Sequence, residues 1–128
     1  MNMTQTMKTI FVDTNLSIIS ARAEIRKLAR AAGLNTADQA RISLATSTLA
    51  HFLDLGGQHN GEIHFESFNH DVQPGVRVIC MTQGRQGPAE LRSETSGTLN
   101  KLRWMVDELD VQYLPENEVQ ITMIKWAV

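Results

Sequence analysis

Apolar positions along the chain change period several times, and each change marks an element. The short run "KTIFVD" (8–13) ends in an acid and reads as a strand. The spacing then lengthens: Leu16, Ile19, Ala23, Leu28 and Ala32 form an apolar stripe, with Arg22, Arg26, Lys27 and Arg30 mostly off it. With Gly33 as the stop, this predicts a helix over 15–32 with a solvated basic face. Asn35 or Thr36 can cap a second helix, and Gln39 stands three residues after Thr36 as a capping box requires. Its apolar positions, Ala40, Leu44, Ala45, Leu49, Phe52 and Leu53, carry it over 36–54 to Gly56 and Gly57.

From Gly61 the period falls to two. In "EIHFESF", Ile63 and Phe65 alternate with Glu62, His64 and Glu66, the pattern of a half-buried strand. "NHDVQPG" turns the chain and "VRVICMT" returns it. Beyond a loop at 84–97, Leu99, Leu102, Met105, Val106 and Leu109 keep helical spacing, which predicts a third helix over 98–108. "VQYL" and "EVQITMIKWAV" are two closing strands around "PENE", with Val119, Ile121 and Met123 on the inward face. The order β-α-α-β-β-α-β-β implies an α+β two-layer sandwich, three helices packed on one face of a mixed sheet of about five strands. With 128 residues, one domain over 1–128 is expected.

Composition narrows the function classes. A net charge of −2 provides no field for phosphate backbones, so nucleic acid is not an expected partner. The one cysteine, Cys80, lies in an apolar run, which excludes a disulfide framework and a cysteine zinc site and suggests a small core residue. His59, His64 and His70 lack matched ligand spacing, and no metal site is expected from them. "MNMTQTMKT" lacks the basic and apolar regions of a signal peptide, and no apolar run approaches the roughly 20 residues of a membrane helix. A cytoplasmic chain without a membrane partner is expected. Trp104 and Trp126 read as packing anchors, and Arg103 as exposed helix charge.

Four strings carry a family resemblance. "GLNTADQARISLATSTLAHFL", "ICMTQGRQGP", "ETSGTLNKLRWMVDELDV" and "QITMIKW" occur in the order seen in the small serine kinases that regulate bacterial sigma factors by partner switching (the RsbT/RsbW and SpoIIAB type). These kinases belong to the gyrase, chaperone, histidine-kinase and MutL ATPase superfamily, and the resemblance spans about residues 8–127. It implies the histidine-kinase-like ATPase fold. It also implies partners among STAS-domain antagonist proteins, sigma factors and the regulatory domains of PP2C phosphatases, with a homodimer left open.

The same resemblance places the nucleotide pocket. Where the family has a magnesium-binding asparagine and, one turn earlier, a glutamate that serves as general base, this chain has Phe52 and Thr48. A phenyl ring offers no oxygen to a hard cation, and threonine is no base near neutral pH. The family's adenine-binding aspartate corresponds to Thr82. Gly84 matches the first glycine of that loop, while Gln86, beside Arg85 and followed by Gly87, occupies the second. Ser96 and Gly97 are what is left of the phosphate-binding lid. Loss of the metal and adenine contacts implies at least about a hundredfold weaker nucleotide binding, on the order of 3 kcal/mol. These departures lead to the expectation of a non-catalytic partner-binding regulator that uses neither ATP nor magnesium, with Arg85 and Arg92 as candidate contacts to an acidic partner. The alternative is an ATP-dependent serine/threonine kinase that phosphorylates a STAS-domain antagonist.

Overall fold

The computed structural model describes residues 7–57, 60–70, 73–82, 97–115 and 118–127. The elements in chain order are β1 (Met7–Val12), α1 (Asn15–Ala31), α2 (Thr36–Phe52), β2 (Gly61–His70), β3 (Gln73–Thr82), α3 (Gly97–Met105), β4 (Glu108–Leu114) and β5 (Glu118–Trp126). The strands form one sheet in the order β1-β2-β3-β5-β4. All four pairings are antiparallel, so the α+β sandwich stands on an antiparallel sheet instead of a mixed one. No helix is long and apolar enough to cross a membrane among the described residues.

Register explains how the core forms. Ile10 pairs with Ile63, Ile63 with Cys80, Cys80 with Ile121, and Ile121 with Val111. Partners in a ladder point the same way, so these side chains line one face of the sheet. Phe65, Val78 and Met123 form a second row on that face. The face is buried against Ile18, Ile25, Ile42 and Leu49 of the first two helices and Leu102 of the third. Cys80 lies fully inside this core, where burial pushes its thiol up to about 12. It is a packed apolar residue at any physiological pH.

The helices follow the expected boundaries but not every expected face. On α1 the buried residues are Ile18, Ala21, Ile25, Leu28 and Ala29. Leu16 and Ile19, placed inward by the sequence pattern, are 73% and 61% exposed, and Ala23 is exposed with them. Two apolar stripes share this helix, and periodicity alone does not say which one the sheet takes. Helix α1 ends in a Schellman motif: Leu34 N–H donates to Ala29 and Gly33 N–H to Arg30, with Gly33 at φ +95°.

Helix α2 ends the same way, Leu55 N–H donating to Ala50 and Asp54 N–H to His51. The left-handed position is Asp54 at φ 55°, earlier than the Gly56–Gly57 pair that marked the stop in the sequence. Aspartate is one of the few non-glycine residues that tolerates this region, which is why the stop was misplaced. At the other terminus the cap is Asn35, whose side chain accepts from Asp38 N–H. Gln39 donates to the Leu34 carbonyl at 2.8 Å in place of a capping-box contact. The third helix ends at Met105, and Leu109 belongs to β4, where it packs on the core. Trp104 is 89% exposed and anchors nothing within the described chain.

Candidate functional site

Helix α2 spans from one end of the sheet to the other, and the motifs divide between its termini. Asp38, in its first turn and 5% exposed, receives Arg41 Nη1 at 2.8 Å and lies 3.5 Å from Lys125 Nζ. Lys125 reaches Asp107 Oδ1 at 3.2 Å. The other Asp107 oxygen accepts the Trp126 backbone N–H at 2.7 Å, and Glu108 accepts the Trp126 indole N–H at 2.8 Å. Trp126 also meets Phe68 edge-to-face with ring centroids 5.0 Å apart. Gly75 leaves room for this contact: a Cβ there would stand 3.1 Å from Phe68 and from the Trp126 ring. The "DQ", "MVDELD" and "KW" strings, far apart in sequence, therefore form one polar clamp that ties the start of α2 to β4 and β5.

The opposite end holds the pocket positions. Thr48 and Phe52 lie one turn apart in the last half of α2, both half-buried, with Phe52 packed on the core. Thr82 ends β3 opposite Gly61, against which the Leu55 side chain rests just beyond α2, so the ends of α2 and β3 meet there. Thr82 is 1% exposed, and its hydroxyl accepts the Val119 N–H at 3.0 Å. Gly97 is the exposed first residue of α3. Gly84, Arg85, Gln86, Gly87, Arg92 and Ser96 lie outside the described residues.

As side chains, Thr48 and Phe52 do not fit a magnesium ion. Phenylalanine has no ligating atom, and a lone hydroxyl is a poor substitute for carboxylate or amide oxygen. Thr82 still has an O–H to donate, but one of its lone pairs is committed to the sheet. Several α2 hydroxyls, numerous for a helix interior, bond backbone carbonyls: Thr46 that of Ile42 at 2.8 Å and Ser47 that of Leu44 at 3.1 Å within the helix, and Ser43 that of Arg22 on α1 at 3.3 Å. Arg103 is exposed, its guanidinium 3.4 Å from the Leu109 carbonyl. Sequence reasoning missed the outward stripe of α1. Its signal was present, since Leu16, Ile19 and Ala23 keep helical spacing, but it was assigned to the core.

No protein-family model matches the chain. It is, however, 30% identical over 123 residues to the serine/threonine-protein kinase RsbT of Bacillus subtilis strain 168, covering 88% of this chain and 91% of RsbT. The chain belongs to the RsbT family of switch kinases. The fold has a solved counterpart in the structure of the RsbU and RsbW domains of Rv1364c from Mycobacterium tuberculosis. There the TM-score is 0.63 at 17% identity, over 95% of this chain and 32% of that one.

Membership in the RsbT family corrects two expectations from the sequence. A chain without enzymatic activity and without ATP or magnesium is overturned by kinship with a serine/threonine-protein kinase along almost its whole length. The error came from weighing a few side chains at the pocket above the pattern of the whole chain. Phosphate binding at helix N-termini and glycine-rich loops depends on backbone N–H groups, which any residue except proline supplies. Side-chain identity in those segments says little about that function.

Proposed function

We propose that this RsbT-family protein is an ATP-dependent serine/threonine kinase of a partner-switching circuit, transferring a phosphoryl group to a hydroxyl of a STAS-domain antagonist. The observation that carries this reading is the 30% identity to RsbT over 123 residues. The released partners would be a sigma factor or the regulatory domain of a PP2C phosphatase. Phosphoryl transfer asks a protein mainly for positioning and charge stabilisation, with little covalent participation of side chains. Thr48 and Phe52 do not supply the metal contacts, so these come from other oxygen donors, including the phosphates of the nucleotide itself. At the same end of the sheet, the ends of α2 and β3 meet, with Leu55 against Gly61 opposite Thr82.

The test is a transfer assay with purified protein, magnesium, γ-labelled ATP and the STAS-domain proteins of its host. The expected result is label on a serine or threonine of one STAS protein, located by mass spectrometry. No label on any of them, together with silent calorimetric titration by Mg-ATP, overturns the proposal.

A further inference from the structure

The outward stripe of α1 is an unusual surface. Leu16 and Ile19 are among the most exposed large apolar residues of the protein, and Ala23 continues the stripe one turn further. Beside them Arg22 and Arg26 repeat at i, i+4, and neither has an ion-pair partner among the described residues. Ile19, Arg22, Ala23 and Arg26 line a surface concavity of about 320 Å³, closed on the α2 side by Ser43. In this way an apolar strip and a basic rail run parallel along one groove between two helices.

Charge distribution points to the occupant. The protein carries a net −2, yet α1 holds Arg22, Arg26, Lys27 and Arg30 against the single acid Glu24. Glu24 is already engaged, its carboxylate 2.7 Å from Lys8 Nζ and held below the usual carboxylate range by that lysine. The basic rail therefore has no internal counter-charge within its own helix. A run of Leu16, Ile19 and Ala23 rises about 10 Å, the length over which a docked helix presents two or three apolar anchors. A concave groove closed by a second helix suits such a rod, whereas insertion into a lipid surface favours a protruding apolar face.

We propose that the α1–α2 groove is the docking site for an acidic amphipathic helix of a protein partner, with apolar anchors over Ile19 and Ala23 and carboxylates on Arg22 and Arg26. This surface goes beyond phosphoryl transfer and needs no nucleotide, so the experiment below is run without ATP and its failure leaves the kinase reading standing.

The experiment measures anisotropy of three labelled helical peptides against the full chain. One carries a leucine stripe flanked by glutamates, the second the same stripe flanked by lysines, and the third the glutamates with the leucines replaced by serine. The expected result is saturable binding of the first peptide only, weakened by salt and reduced at least tenfold by Arg22→Glu with Arg26→Glu, or by Ile19→Ser. The double reversal should in turn gain affinity for the lysine-flanked peptide. Arg22→Gln with Arg26→Gln provides a milder variant, and circular dichroism checks that each remains folded. Equal binding of acidic and basic peptides, or binding indifferent to these variants, overturns the proposal. So does self-association of the free chain that Ile19→Ser abolishes, which would make a second copy the occupant. Binding to anionic vesicles but to none of the peptides overturns it in favour of a membrane surface.

Discussion

The two termini of α2 use their side chains in opposite ways. At its start, Asp38, Arg41, Lys125, Asp107, Glu108 and Trp126 interlock through ion pairs and hydrogen bonds between 2.7 and 3.5 Å. At its end, Thr48 and Phe52 are half-buried without a charged group between them, and Thr82 is turned inward to serve the sheet. The clamp end holds the architecture by side-chain chemistry that a sequence displays openly. At the pocket end the described side chains follow packing, with Phe52 on the core and Thr82 bonded into the sheet. Side-chain chemistry that fixes geometry is visible in a sequence, whereas anion binding through backbone N–H groups can be met by almost any residue.

The largest expected effect breaks the clamp. Asp38→Ala removes a buried carboxylate from Lys125 and Arg41 and deletes an acid from the first turn of α2. Leaving a mostly buried ammonium with one partner fewer should cost about 2–3 kcal/mol, read as a lower urea midpoint at unchanged slope. Adding Lys125→Met should recover part of that loss, since a pair replaced by apolar packing costs less than a pair half removed. If the double variant is less stable than the sum of the two single ones, Asp38 and Lys125 are not coupled as a clamp. Phosphoryl transfer, assayed where these variants are folded, should stay near its starting rate because the clamp is at the far end of α2.

At the pocket end, Thr82→Val keeps the shape and removes the acceptor of the buried Val119 N–H. An unsatisfied amide there should cost about 1–2 kcal/mol in the same titration. No loss would mean that another group takes over that amide, and Thr82 would then be free for a ligand. A smaller effect of the opposite sign is expected next door. Asp54 holds φ 55° in the Schellman turn that ends α2. Asp54→Gly should stabilise the protein by about 0.5–1 kcal/mol by relieving that conformation. An observed loss would show that contacts of its carboxylate outweigh the backbone strain.

The fold was legible because its core depends on period. Ile63 and Phe65, and Val119, Ile121 and Met123, point inward as their alternation requires. The sheet's antiparallel pairing was less accessible, since strand direction depends on crossovers that a periodic pattern does not encode. Helix α1 was misread at Leu16 and Ile19 because a helix with two apolar stripes is ambiguous until its neighbours are placed. Trp104 was assigned to packing by its size, and its exposure reflects a position on the outer side of a short helix. Thr48 and Phe52 lie on a helix and Thr82 at a strand end, as the periodicity required, but the chemistry of these three side chains was taken as the measure of the whole chain's activity. Backbone donors do not appear in a list of side chains.

The smallest expected effect tests whether burial, not ion pairing as such, makes the clamp matter. Lys8 and Glu24 form an ion pair at 2.7 Å between β1 and α1, as short as any in the clamp but open to solvent. The Glu24 carboxyl is held below the usual carboxylate range, first by the Lys8 hydrogen bond and then by its charge. A depressed folded-state value means that the contribution of Glu24 is present above the unfolded value and is lost as pH falls through the lowered one. Stability at neutral pH therefore contains this pair, and acid removes it only as pH falls below the ordinary carboxylate range. Since exposed pairs are screened by water and salt, Glu24→Gln should shift the urea midpoint least of all the variants named here. In 1 M salt even that difference should vanish, while the loss caused by Asp38→Ala should persist. If Glu24→Gln proves as costly as Asp38→Ala, short distance alone governs these pairs, and the contrast between the clamp and the open surface fails.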